Sequence, residues 1–182
     1  MRCMCAMKAW NGWYHVNGNT YGTWLRGDPR GWRARWHREH VDGDYKHPPP
    51  PGTGDALLRR SKSVMNKPPV RLTREQRALA GREMVLKLLE QNVQIIALAV
   101  TAVHYHLLLK IPDAQVRWRV GLAKKHASHE LSKVGLPGTV WAKKCRALPI
   151  QDRAHQVNVF EYIQEHATEG AWVWTFRDGP PS

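Results

Sequence analysis

His104 and His106 stand two residues apart in the segment AVTAVHYHLLLKIP, and two imidazoles at that interval can chelate one cation. On a strand, side chains at i and i+2 share a face, about 7 Å apart at the backbone. The interval alone is a weak sign. In a chain with ten histidines, a chance His-x-His is expected about 0.5 times. Taken alone, the pair is better explained as two histidines on the polar face of a half-exposed strand. A second group gives it context. Asn158, Tyr162, His166 and Glu169 fall at i, i+4, i+8 and i+11 of a predicted helix over 152–169, along one side. Val159, Phe160, Ile163 and Ala167 fill the adjoining arc, which should face a sheet. Tyr162 and His166 then lie at the rim between core and solvent. A helix laid across the sheet could bring His166 to the histidine pair, with Tyr162 one turn away. Singly, each residue fits a plainer role: a tyrosine with its hydroxyl in water, and a surface histidine.

These side chains need elements to hold them. Residues 93–111 are rich in Val, Ile and Leu, and two strands with a turn near Thr101 and Ala102 fit them best. A single buried helix is the rival, opposed by the β-branching and by Pro112. Residues 13–25 read as a first strand. A loop follows over 26–55, with Pro48 to Pro51 as a stiff run that cannot sit inside a sheet. A short helix fits 55–65. Thr73 and Gln76 make a capping box for a helix running to about residue 91, which Gly81 weakens. Val116, Val120, Ala123, Ala127 and Leu131 give 113–133 helical spacing. Residues 139–150 and 171–176 read as strands. The order is that of a split strand–helix–strand, ferredoxin-like α+β sandwich: a central antiparallel sheet with helices packed on it.

The chain has 182 residues and a net charge of +13, from 28 Lys+Arg against 15 Asp+Glu. The length fits one domain with a real core. Its longest apolar stretch, Ile95 to Val103, contains Thr101 and is too short to span a bilayer, so no membrane partner is expected. Residues 1–12 form an irregular lead-in with no secretory h-region, and 177–182 form a tail. Cys3, Cys5 and Cys145 are too few and too odd in number for a disulfide framework, so a reduced, cytoplasmic setting is expected. The strongly basic balance points to a polyanion, and nine tryptophans tilt it toward nucleic acid, because indoles stack on unpaired bases. Residues 110–153 carry ten Lys/Arg against three acids.

The motif AVTAVHYHLLLKIP resembles the metal motif of the HUH endonucleases. The segment VWAKKCRALPIQDRAHQVNVFEYIQEHATEGAWV resembles the C-terminal part of single-tyrosine HUH transposases, in particular the REP-associated tyrosine transposases. In that branch a Trp-containing strand leads through an acidic turn into a helix with Tyr-Ile, and a metal ligand follows four residues after the Tyr. Here these are Trp141, Asp152, Tyr162-Ile163 and His166. The opening TYGTWLRGDPRGW is also similar to that of many members, and the likeness spans most of residues 14–176. Two positions depart from the pattern. Tyr105 replaces a smaller aliphatic between the histidines, and His166 stands where Asn, Gln or another polar residue is common.

The resemblance implies that residues 13–176 form a single catalytic HUH domain, with the basic loop 26–55 inside it. It implies cleavage and rejoining of single-stranded DNA, at hairpin-containing ends, through a 5′-phosphotyrosine on Tyr162. His104, His106 and His166 would hold a divalent metal, Mg²⁺ or Mn²⁺, and three imidazoles favour the softer Mn²⁺. No general base is evident, and Glu165 could add a polar ligand. Lys124, Lys125, Lys143, Lys144, Arg26, Arg30 and Arg33 are the expected DNA contacts. A bacterial, nucleoid-associated protein that moves DNA follows from the likeness, and a homodimer stays open. Two other readings also stay open. One is a replication initiator or relaxase of the same chemistry, which the short chain disfavours. The other is a non-catalytic nucleic-acid-binding module.

Overall fold

The computed structural model describes residues 9–30, 32 and 47–181. The expectations for Cys3, Cys5, Arg33 and much of the lead-in and basic loop fall outside that set. The chain divides into two compact units, 1–20 with 71–182, and 21–70.

In the larger unit, five strands form one sheet: β1 (Trp13–Asn19), β2 (Gln94–Val100), β3 (His104–Lys110), β4 (Arg146–Pro149) and β5 (Trp172–Thr175). Their order is β4-β1-β3-β2-β5, and every neighbouring pair is antiparallel. β1 and β2 both run against β3 and are therefore parallel to each other with β3 between them. That is the split connection expected of a ferredoxin-like α+β sandwich. β2 and β3 form a hairpin. Thr101 Oγ1 accepts the N–H of Val103 (3.2 Å) and of His104 (3.0 Å), and its hydroxyl donates to the His104 carbonyl (3.1 Å). A single hydroxyl thus fixes the backbone that launches His104.

The helices sort to the two faces. The smaller unit holds α1 (Asp55–Ser63), and the larger holds α2 (Arg74–Glu90), α3 (Val116–Lys133) and α4 (Arg153–Glu165). α2 starts at the Thr73–Gln76 capping box, which forms in both directions. It lies on β2 and β5 and packs along α3. Gly81 allows that approach, because a Cβ there would meet the Trp172 ring at 2.0 Å. Trp172 pairs with Val100, and Val100 with Tyr105, so α2 covers the face to which Tyr105 points. The opposite face carries Trp13, Ala97, Ala99 and Leu108, on which Val159 and Ile163 of α4 rest. Two alanines on β2 leave room for a helix to lie close.

Three element ends differ from the sequence expectation. β1 stops at Asn19 instead of 25, after a last bridge from Thr20 to Trp141, and Gly22 with φ +73° turns the chain within the smaller unit. Only Arg146–Pro149 of the strand expected over 139–150 enters the ladder. Asn17 pairs with Arg146 and Thr20 with Trp141, so this edge has two more residues than β1 over the same stretch. The excess pushes Lys143 and Lys144 out of the ladder into solvent. The last helix ends as α at Glu165, and His166–Glu169 tightens into a 3₁₀ turn closed by Gly170 at φ +74°.

Candidate metal and nucleophile site

The site grows from β3 and α4. Strand alternation puts His104, His106 and Leu108 on the α4 face, and Tyr105, Leu107 and Leu109 on the other. Asp152 caps α4 by accepting the His155 N–H at 2.7 Å, which fixes where the helix begins. Thirteen residues of regular helix then deliver His166 to its junction with the 3₁₀ turn, where it is buried. One ligand nitrogen from each of His104, His106 and His166 lies within 4.8 Å of the others. The ring centroids are 5.0 Å apart for His104–His106, 5.5 Å for His104–His166 and 4.5 Å for His106–His166.

Hydrogen bonds choose which nitrogen of two rings faces inward. His166 Nδ1 lies 2.8 Å from the Tyr162 carbonyl, which can only accept, so that nitrogen carries the proton and Nε2 keeps its lone pair. His106 Nδ1 is taken by His15 Nε2 at 2.9 Å, which leaves His106 Nε2 for the site. Burial, then the neighbouring His15, His104 and His166, lowers His106 to about 2. Burial, then His155, His166 and Arg146, lowers His15 to about 4. Both rings are therefore neutral near pH 7, the state a metal ligand requires. Metal–nitrogen bonds of about 2.1 Å hold their nitrogens about 3–4 Å apart, so the three side chains need draw in by only about 1 Å. The donor set fits a divalent first-row ion, and all-imidazole donors suit it better than they suit Mg²⁺. Glu165 is exposed and is not among the grouped donors.

Tyr162 stands beside this cluster. Its ring lies edge-on to His166 at 4.7 Å, to His106 at 5.3 Å and to His15 at 6.1 Å, and the residue is 41% exposed. It is open to solvent on one side and to imidazoles on the other. Tyr105 is the contrast. It is fully buried on the opposite face with its ring against Trp141, and burial pushes its phenol well above the usual range. Gly18 across the ladder accommodates that ring, since a Cβ there would meet the Tyr105 hydroxyl at 2.7 Å.

The basic residues divide. Lys125, Lys143 and Lys144 are exposed. Lys124, expected to contact DNA, is instead buried, and its Nζ donates to the Ala142 carbonyl at 2.7 Å. It falls in the same helical stripe as Val120, Ala127 and Leu131, so its charge points inward, and burial pulls its ammonium below the usual range. In the smaller unit Arg30 grips Asp28 in a fork, Nε to Oδ1 at 2.7 Å and Nη2 to Oδ2 at 2.6 Å, and lies over the Trp24 ring. Arg26 is exposed, with its guanidinium 5.4 Å from the Trp32 ring centre. His15 is the residue that sequence reasoning missed. The only hint was a histidine on a strand expected to pair in the same sheet.

No family model and no curated protein matches the chain. Among solved structures, one of a REP-associated tyrosine transposase bound to a REP hairpin is similar, with a TM-score of 0.50 and 12% identity over 93% of this chain and 75% of that one. At that identity the likeness is one of fold, and it places this α+β sandwich beside the architecture that the sequence motifs resemble.

Proposed function

We propose that the protein is a metal-dependent, single-tyrosine HUH enzyme that cuts and rejoins single-stranded DNA, acting in DNA transposition. The observation that carries this reading is the placement of one half-exposed tyrosine, Tyr162, against three clustered imidazoles, His104, His106 and His166. The net charge of +13 suits a phosphodiester substrate. The similar solved structure holds a REP hairpin, which supports a hairpin-containing end as substrate here.

A divalent cation on the three histidines supplies Lewis-acid polarisation of the scissile phosphate and favours the phenolate of a nearby tyrosine. The protein's own groups do the rest. His106, held neutral by burial, presents its lone pair without first losing a proton, and the Tyr162 carbonyl orients the His166 ring. Tyr162 Oη attacks phosphorus, the P–O3′ bond breaks, and the 3′-oxygen leaves and takes up a proton as a hydroxyl. The phenol's own proton passes to solvent on the exposed side of the ring. The phosphotyrosine conserves the bond, so an incoming 3′-hydroxyl can reverse the step without ATP. We assign contacts with the DNA backbone to Lys125, Lys143 and Lys144, which are exposed.

The test is a labelled single-stranded hairpin incubated with the protein and Mn²⁺ or Mg²⁺, scored for an adduct stable to denaturation. The wild-type protein forms it. Tyr162→Phe binds the DNA without forming it, and His104→Ala or EDTA also prevents it. An adduct that survives EDTA contradicts the metal role. DNA binding with no adduct under any divalent ion favours the binding-module reading.

A further inference from the structure

We propose that His15 is a positioning residue of the histidine site: its Nε2 accepts the Nδ1–H of His106 and so keeps the His106 Nε2 lone pair turned toward His104 and His166. This rests on reading those three histidines as a divalent-cation site. The geometry is that of a committed hydrogen bond. The two nitrogens are 2.9 Å apart, the rings stack at 28° with centroids 5.2 Å apart, and both residues are buried. One proton must lie between the two nitrogens. A His106 that coordinates through Nε2 carries its proton on Nδ1, so His15 accepts on Nε2 and keeps its own proton on Nδ1.

The fold makes this pairing. Asn17 of β1 lies opposite His106 of β3, and His15 is two residues along the same strand, hence on the same face. The diagonal between antiparallel strands spans the length of two imidazoles. His166 obtains the equivalent support from a backbone carbonyl, which no substitution can remove. His106 relies on a side chain, which substitution can remove. Such partners fix a ligand's tautomer and ring orientation and raise its basicity, and losing one costs about 10- to 100-fold in metal affinity.

The experiment titrates Co²⁺ into full-length wild-type, His15→Phe and His15→Gln protein, followed by visible absorption and calorimetry. Glutamine sets an amide oxygen about where Nε2 stands, whereas phenylalanine keeps the packing and accepts nothing. Expected are an affinity about 10- to 100-fold weaker for His15→Phe with an altered Co²⁺ spectrum, and recovery to within about threefold for His15→Gln. Wild-type affinity and spectrum in His15→Phe overturn the proposal, and so does a His15→Gln variant no better than His15→Phe. Imidazole ¹⁵N NMR of the metal-free wild-type protein gives a second measure that needs no variant to fold. His106 protonated on Nδ1 supports the pairing, and protonation on Nε2 overturns it. A wild-type protein that binds no Co²⁺ removes the metal reading itself, while the tautomer still reports the pairing separately.

Discussion

β3 has two faces, and they have opposite characters. On one, His104 and His106 meet Tyr162 from α4 and His166 from the 3₁₀ turn that follows it. On the other, Tyr105, Leu107 and Leu109 are fully buried in the face that α2 covers. The two tyrosines divide in the same way: Tyr162 of α4 meets the histidine face, whereas Tyr105, between the two histidines, points to the sealed face. The period of two turns Tyr105 away from the histidines, and burial makes its phenol harder to ionise. Metal-ligand-type and sealed side chains alternate over His104–Leu107 of the same strand.

The largest expected effect breaks this contrast at the tyrosines. Tyr162→Phe should lower adduct formation by about 10⁴-fold or more, the scale for removing a nucleophile. Tyr105→Phe should keep the rate within about threefold, because its phenol meets neither metal nor substrate. Single-turnover kinetics on a hairpin substrate reads both. Equal losses would remove the distinction between the faces.

Next come the strand's other residues, read by urea denaturation of metal-free protein. Leu107→Ala should cost about 2–5 kcal/mol, since it empties a fully buried site. His104→Ala should cost less than about 1 kcal/mol and abolish the adduct. Conversely, Mn²⁺ at a hundred times its Kd should stabilise wild-type protein by about 2.7 kcal/mol and leave His104→Ala unchanged.

Acid sharpens the comparison from the site's side. His15 and His106 titrate near 6.5 when unfolded and at about 4 and about 2 in the fold, so the unfolded chain binds more protons between those values. Their contribution is full above about pH 6.5. It is lost as pH falls through that window, by up to about 1.4 kcal/mol per pH unit for each ring. Urea midpoints of metal-free protein should fall from pH 6.5 to 4.5, and less steeply in His106→Gln. A midpoint flat over that range would mean that these rings are protonated in the folded protein.

The smallest effect concerns the lysines. Lys143→Ala and Lys144→Ala should each reduce the salt slope of DNA binding by about one, while buried Lys124→Met should leave it unchanged. Titration of hairpin DNA at several salt concentrations distinguishes them.

What could be read from the sequence was local. The Thr73–Gln76 capping box, the turn at Thr101, the His104–His106 interval and the Tyr162–His166 helix side are each defined by a few consecutive residues, and each has its counterpart in the structure. What could not be read depends on neighbours distant in sequence. His15 gains its partner only once β1 lies beside β3. Lys124 belongs to an inward stripe that a basic Lys-Lys pair disguises, and Lys143 and Lys144 leave the sheet because their edge has excess length. Gly81, which weakens the helix locally, is required by Trp172 on a strand ninety residues on.

The most direct measurement is tandem mass spectrometry of the covalent complex formed with hairpin DNA and Mn²⁺, after nuclease trimming and proteolysis. A phosphonucleotide on Tyr162, in the peptide between Arg153 and Arg177, is the expected result. The modification on Tyr105 or any other residue, or a complex equally abundant in EDTA, would contradict it.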